Sequence, residues 1–115
     1  MPRSPITTHV LDVARGKPAA GISVMLEVQE GANWKEIGNG RTDADGRVAN
    51  LLPEGSQASP GVYRITFDTS SYLSAQSVEG FYPYVPVIFE IKDPGQHYHV
   101  PLLLSPFGYS TYRGS

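Results

Sequence analysis

Histidine carries much of this chain's potential for chemistry, and its three copies are spaced in a way that could support catalysis or metal binding. His97 and His99 stand two residues apart near the end of the chain, and His9 lies near its beginning. Histidine exchanges protons near neutral pH and is also a common metal ligand. The sequence therefore raises two chemical alternatives, an acid–base site and a metal site, beside the simpler one of structural histidines.

A metal site would need His97 and His99 to point the same way, which a β-strand provides because its side chains alternate between faces. Their Cα atoms would be about 6.6 Å apart at about 3.3 Å per residue, and His9 could supply a third ligand. An isolated His-x-His pair is a weak signal, and no acidic residue occupies an obvious supporting position. Metal binding is therefore a minor alternative.

Other kinds of catalytic site find little support. The chain has no cysteine and so no thiolate nucleophile. It has no Gly-x-Ser-x-Gly motif and no glycine-rich phosphate loop. What remains is histidine as general acid and base, with arginine or tyrosine stabilising negative charge, which suits addition of water to an activated carbonyl. The structural alternative stays open: the histidines could be hydrogen-bonded at an interface, with Arg41, Arg47 and Arg113 as solvated charges and Tyr109 and Tyr112 as packing residues.

Short β-strands must hold these residues, because apolar residues recur with a period of two between the scattered glycines and prolines. The runs predict strands near residues 7–13, 22–29, 34–38, 62–68, 85–91, 97–104 and 108–112. Residues 69–77 predict one short helix, since they open with capping residues and contain little β-branching. These elements indicate an all-β fold, an antiparallel sandwich with Greek-key connections. Pro86 and Pro101 lie inside predicted strands and are expected at edges, bulges or unpaired sides.

The alternation of side chains also assigns the faces of the strands that carry histidine. One face of the strand at 97–104 is expected in the core, and its residues are Tyr98, Val100, Leu102 and Leu104. The other face carries His97, His99, Pro101 and Leu103, and on the first strand His9 and Leu11 point opposite to Val10. An outward face that mixes histidine with leucine is a poor solvent face, so we predict that another subunit covers it.

Composition and charge limit the partners and the location. At 115 residues the chain is predicted to form a single domain, residues 1–115. Only 17% of its residues are charged, the net charge is −2 and the basic residues do not cluster, which argues against nucleic acid or a membrane surface as a partner. The first residues lack an apolar signal core and no stretch is long enough to span a membrane, so we predict a cytoplasmic protein.

Three separated segments resemble the transthyretin-related proteins in order and spacing. They are TTHVLDVARGKPAAGISVMLEV, GRTDADGRV and GFYPYVPVIFEIKDPGQHYHVPLLLSPFGYSTYRGS, and the resemblance runs from Ile6 to Ser115. The chain looks like the 5-hydroxyisourate hydrolases of that group rather than the hormone-carrying transthyretins. The terminal segment Tyr112–Ser115 discriminates best, because the hydrolases end in this tetrapeptide and the carriers lack it.

The resemblance implies a fold, an assembly and an activity. The fold is an immunoglobulin-like sandwich of two four-stranded sheets with one short helix. The assembly is a homotetramer, a dimer of dimers, with sites in a central channel. The activity is hydrolysis of 5-hydroxyisourate, the product of urate oxidation, to 2-oxo-4-hydroxy-4-carboxy-5-ureidoimidazoline. No metal or organic cofactor is implied.

The resemblance also implies site residues. His9, Arg47, His99 and Ser115 are expected to be catalytic, and His9, Arg47 and Tyr112 are expected to bind substrate. A transthyretin-like carrier of an aromatic small ligand in the same channel is the main competing interpretation. A carbohydrate-binding or adhesion sandwich is a weaker one, and it would present exposed aromatic residues on a solvent face.

Overall fold

The chain folds into two β-sheets that enclose a common core, as a computed structural model describes for residues 4–53 and 55–114. Within these residues the elements are, in chain order, β1 (Ile6–Asp12), β2 (Lys17–Pro18), β3 (Ser23–Glu30), β4 (Asn33–Arg41), β5 (Arg47–Val48), β6 (Gly61–Phe67), α1 (Thr69–Ser74), β7 (Val85–Ile91), β8 (Tyr98–Ser105) and β9 (Gly108–Thr111). The first sheet has the strand order β2-β1-β8-β9, with β5 also paired to β1, and the second has the order β4-β3-β6-β7. The predicted all-β sandwich with one short helix is confirmed.

The first sheet differs from the prediction in two ways. It has five strands rather than four because two short strands share one edge of β1: β5 pairs with Thr8 and His9, and β2 with Leu11 and Asp12. Strands of two residues show no periodicity, so the apolar pattern does not reveal them. The sandwich is also not wholly antiparallel, since β1 and β8 run parallel. Parallel neighbours need a long crossover connection, and here that connection contains the whole second sheet.

The core between the sheets contains the residues that side-chain alternation predicts. Tyr98, Val100, Leu102 and Leu104 of β8 are all buried, with exposures between 0% and 6%. Ile65 and Phe67 of β6 belong to the same apolar cluster in the second sheet and have no exposed surface. Burial of such side chains is the dominant favourable term in folding, and it fixes which face of β8 points inward. His99 therefore lies on the outer face of the first sheet.

The helix α1 is shorter than predicted but begins where the capping residues indicate. It spans Thr69–Ser74 rather than 69–77, and its N-cap is Asp68, whose carboxylate accepts a hydrogen bond from the N–H of Ser71. Ser77 has a positive φ of 57°, which ends the helical path. Within the described residues, no helix is long and apolar enough to cross a membrane.

The two prolines inside strands occupy positions where a missing N–H is tolerated. Pro86 lies in β7, an edge strand of the second sheet, as predicted. Pro101 lies in β8, and the ladder between β8 and β9 extends only over Leu102–Ser105. Beyond this interruption, pairing resumes as an isolated bridge in which the Gly114 N–H donates to the His99 carbonyl at 2.8 Å. The C-terminal tail, residues 112–114, therefore stays beside β8.

Candidate active site

His9 and Arg47 are placed directly opposite each other by the pairing of β1 with β5. Opposed residues of an antiparallel pair carry their side chains on the same face, with Cβ atoms about 4.5–5.5 Å apart. A tight turn leads into β5, because the Asp43 carboxylate accepts hydrogen bonds from the N–H groups of Asp45 at 2.9 Å and Arg47 at 3.0 Å. This turn brings the Arg47 side chain to the face that carries His9.

The turn before β5 is stabilised by an ionised carboxylate. The hydrogen bond from the backbone N–H of Arg47 lowers the pKa of Asp43 below its ordinary value of 3.8, against a smaller opposing effect of desolvation. Because the pKa is lower in the folded state, this stabilisation is present above the unfolded-state pKa and is lost as the pH falls through the folded-state value. Asp43 therefore holds Arg47 in place at neutral pH.

Gly46 is the residue of this turn that tolerates no side chain. Its φ is +75°, and a Cβ there would lie 2.5 Å from the carbonyl oxygen of Val10. We expect Gly46→Ala to push β5 away from β1, to separate Arg47 from His9 and to lower the thermal unfolding midpoint by several degrees. Gly16→Ala is the control, because Gly16 has a similar φ of +67° but a Cβ there meets no atom within 4 Å. An unchanged midpoint in Gly46→Ala would contradict this account of the turn.

His99 lies on the same outer face, beside β1. In the parallel pair, Thr7 is the partner of His99 and His9 is the partner of Pro101, so the two histidines are diagonal neighbours on adjacent strands. The hydroxyl oxygen of Thr7 lies 2.9 Å from Nδ1 of His99 and 3.0 Å from Nε2 of His97. Thr7 of β1 thus contacts both His97, which directly precedes β8, and His99 on β8.

A cavity of about 190 Å³ opens at this place. It is lined by residues of β1, of β5 with the residue that follows it, and of the chain at the start of β8: Thr7, Thr8, Arg47, Val48, Ala49, His97 and His99. His9 does not line the cavity, but it is paired with Arg47, so the fold gathers His9, Arg47 and His99 in one region. The site predicted from the sequence contains neither Thr7 nor His97. The signal that could have found Thr7 is its position two residues before His9, on the same strand face.

Tyr112, one of the two predicted tail residues, lies outside this cavity in a single chain. Tyr112 is 56% exposed and lines a separate cavity of about 290 Å³ together with Val100 and Phe89. The structure of one chain therefore does not bring Tyr112 into contact with the cavity beside His99. Ser115, the other predicted tail residue, lies outside the described residues.

Two other arginines have contacts away from the cavity. Arg113 donates a hydrogen bond to the Gln96 side-chain oxygen at 2.7 Å, and its guanidinium carbon lies 4.5 Å from the ring centre of Tyr98. These contacts anchor the tail against the start of β8. Arg41, at the end of β4 in the second sheet, donates to the Gly21 carbonyl at 3.1 Å. Neither arginine lines the cavity that Arg47 lines.

Gly114 packs so closely against the His99 ring that a side chain does not fit between them. A Cβ at Gly114 would lie 2.6 Å from Cδ2 of His99, while Thr7 holds the ring's Nδ1. We expect Gly114→Ala to rotate the ring and weaken its hydrogen bond to Thr7, which side-chain ¹⁵N NMR of His99 measures. Gly108→Ala is the control, since a Cβ there meets only Ser105 Oγ at 3.7 Å. A His99 resonance unchanged in Gly114→Ala but moved in the control would contradict this.

The gathered groups suit proton transfer and the binding of negative charge. A guanidinium can bind a carboxylate or an oxyanion through two parallel hydrogen bonds, and neutral imidazoles can accept a proton from water. Among residues 4–53 and 55–114, no group of three or more His, Asp or Glu side chains could hold a metal ion. His97 and His99 both contact the Thr7 hydroxyl.

Comparison with known proteins identifies the family. The model of the HIUase/transthyretin family matches residues 6–114, nearly the whole chain. The chain belongs to the HIUase/transthyretin family. Within that family it is 49% identical to a protein of Mus musculus named 5-hydroxyisourate hydrolase, with 97% of this chain and 96% of that protein aligned. The resemblance inferred from the three sequence segments is thereby confirmed.

Solved structures of this family have the same fold with different names. Sea bream transthyretin, in complex with thyroxine, superimposes with a TM-score of 0.90 at 34% identity, covering 96% of this chain and 95% of that one. The 5-hydroxyisourate hydrolase of Klebsiella pneumoniae superimposes with a TM-score of 0.83 at 34% identity, covering 96% of this chain and 98% of that one. The backbone alone therefore does not separate an enzyme from a carrier, and the side chains of the site must do so.

Proposed function

We propose that this chain hydrolyses 5-hydroxyisourate to 2-oxo-4-hydroxy-4-carboxy-5-ureidoimidazoline in urate degradation. The observation that carries the proposal is the pairing of His9 with Arg47, diagonally beside His99. An arginine and two imidazoles gathered in one region of the outer sheet face suit the addition of water to a carbonyl. The name of the Mus musculus relative, which shares 49% of its residues with this chain, supports the choice of substrate.

In the proposed reaction, water attacks a carbonyl carbon of the substrate ring. His9 and His99 orient the water, and an imidazole takes one of its protons as the oxygen bonds to carbon. Arg47 binds the substrate and stabilises the oxyanion that forms, since charge-assisted hydrogen bonds act most strongly on developing charge. The ring C–N bond then breaks, and the departing nitrogen receives a proton from the imidazolium. The scheme requires no covalent intermediate, metal or organic cofactor.

The proposed active form is a homotetramer, a dimer of dimers. Strands β7 and β9 end their sheets, and apolar side chains on β7 and in the β8–β9 turn are exposed: Ile88 to 60% and Phe107 to 69%. Open edges with exposed apolar residues favour pairing with further copies. The outer face of the first sheet would line a channel in which Tyr112 contacts substrate and Ser115 assists proton transfer.

The assembly can be tested independently of the reaction. We expect sedimentation equilibrium to give four times the chain mass of 12.5 kDa. A mass of one chain at micromolar concentration would overturn the tetramer without affecting the proposed chemistry.

A carrier of an aromatic small ligand is the second candidate, favoured by the TM-score of 0.90 with sea bream transthyretin. A carrier needs a shaped apolar channel, and it has no need of an arginine paired with one imidazole and adjacent to another. The side-chain arrangement therefore favours the hydrolase.

Freshly prepared 5-hydroxyisourate distinguishes the two candidates. Its ultraviolet absorbance should decay much faster with the protein than without it, in proportion to protein concentration, and circular dichroism should show one enantiomer of the product. Tight binding of an aromatic ligand combined with decay at the spontaneous rate would reject the hydrolase in favour of the carrier.

A further inference from the structure

The Thr7 hydroxyl occupies a position between two histidines that no part of the proposed reaction uses. Its oxygen lies 2.9 Å from Nδ1 of His99 and 3.0 Å from Nε2 of His97, both within hydrogen-bond distance. A hydroxyl has one proton to donate and can accept from other donors. Thr7 can therefore donate to one imidazole while it accepts from the other, so the tautomers of the two rings depend on each other.

This bridge follows from the fold. Thr7 is the parallel partner of His99, which puts the two side chains side by side on the outer face. His97 precedes β8 by one residue and reaches the same hydroxyl. On the other edge of the His99 ring lies Gly114, whose close approach leaves no room for a Cβ. The ring is therefore held from both edges.

We propose that Thr7 is a positioning residue that links His97 to His99 as a proton relay, an inference that rests on the proposed hydrolase function. In the relay His99 is the general base, and it begins with a proton on Nδ1 that is donated to Thr7. Nε2 of His99 then accepts the proton of the attacking water, the Nδ1 proton passes to the Thr7 oxygen, and the hydroxyl proton passes to Nε2 of His97. The reverse transfer returns a proton for the departing nitrogen.

The relay lets the proton leave His99, the ring that takes it from water. Among residues 4–53 and 55–114, the titratable groups on the outer face near His99 include Arg47 on β5, His9 on β1 and His97 before β8. An imidazolium at His99 would share the cavity with the fixed charge of Arg47, which disfavours that charge. Transfer through Thr7 gives the proton a second site on His97, so the positive charge need not stay on the ring that took it from water.

The sharpest test compares Thr7→Val with Thr7→Ser, because valine keeps the shape and removes the hydroxyl whereas serine keeps the hydroxyl. We expect Thr7→Val to lower kcat for 5-hydroxyisourate by about tenfold or more with KM changed less than threefold, and Thr7→Ser to restore most of the rate. Thr66→Val, the same change on β6 of the second sheet, is the control and should leave kcat unchanged. Equal rates for Thr7→Val and Thr66→Val would overturn the relay.

The pH profile and a second position separate a relay from a merely structural contact. The imidazolium of His99 loses a hydrogen-bond acceptor in Thr7→Val, so the acidic limb of kcat/KM should move to lower pH. His97→Phe should reproduce the loss in kcat, and the double variant should lose no more than either single one, because both break the same chain of hydrogen bonds. Losses that multiply, or an unmoved acidic limb, would overturn the relay.

An NMR measurement tests the bridge even where the proposed reaction fails. In ¹⁵N-histidine protein without substrate, the ring signals of His97 and His99 should titrate together, and Thr7→Val should separate their midpoints and change the tautomer of His99. If the unchanged chain did not hydrolyse 5-hydroxyisourate, the function would fail while coupled titration would still support the bridge. Independent titration in the unchanged chain would overturn the bridge itself.

Discussion

Arg47→Lys is expected to lower kcat/KM for 5-hydroxyisourate at least about hundredfold while the fold persists. The guanidinium presents a rigid, planar set of donors to the substrate and the oxyanion, whereas an ammonium is a mobile point charge. The turn before β5 is held by the hydrogen bond that the backbone N–H of Arg47 donates to Asp43, and lysine keeps both this N–H and the positive charge. The substitution therefore removes binding geometry and leaves the pairing with His9 in place.

Arg41→Lys is the matched control for this experiment. It makes the same chemical change in the same sequence motif, but Arg41 belongs to the second sheet and donates to the carbonyl of Gly21. Steady-state kinetics of both variants, with unfolding midpoints to confirm their folds, give the comparison. Equal losses in the two variants, or a fully active Arg47→Lys, would contradict the assignment of Arg47.

His99→Gln is expected to lower kcat by about 10²- to 10⁴-fold, the usual contribution of a general base, with a smaller effect on KM. Glutamine keeps a polar side chain in the gap between Thr7 and Gly114 but has no group that titrates near neutral pH. Added imidazole should restore part of the rate by entering the cavity that the ring vacates.

His9→Gln provides the contrast, since His9 is paired with Arg47 and is assigned to orienting substrate and water. We expect it to raise KM as well as lower kcat, without rescue by imidazole. Rescue of His9→Gln and not of His99→Gln would exchange the roles of the two histidines while keeping an acid–base mechanism.

The sequence predicts the strand faces well because burial acts on every second residue. Val100 and Leu102 alternate with His99 and Leu103, and a shift of one residue would bury the histidine and expose the apolar set. The prediction of the outer face needs no knowledge of which strands are neighbours. For that reason the histidines are correctly placed off the core before any pairing is known.

Contacts between strands are harder to predict, because they depend on which strands pair and in what register. The contact of Thr7 with His99 exists because β1 and β8 are parallel neighbours, and no local pattern in either strand encodes that choice. The pairing of His9 with Arg47 depends on β5, which has only two residues. The resemblance to known hydrolases implies His9 and Arg47 as site residues. It does not predict that these two residues are paired, and it does not point to Thr7.

The predicted roles of Tyr112 and Ser115 belong to an assembly of several chains rather than to one chain. Tyr112 belongs by resemblance to a channel between subunits, and one copy of the chain places it in a different cavity. Its predicted role in substrate binding is therefore a property of the proposed assembly, and it stays a prediction together with the role of Ser115.

The parallel pairing of β1 with β8 has a consequence for how the protein is made. The second sheet comes from one continuous stretch, from β3 to β7, which lies between the two partners of the parallel pair. We expect that sheet to fold first on the ribosome, since its contacts are closer in sequence, while β1 waits for β8 to be synthesised. His9 and His99 meet only when β1 pairs with β8, so the nascent polypeptide has no catalytic capacity until β8 has been synthesised.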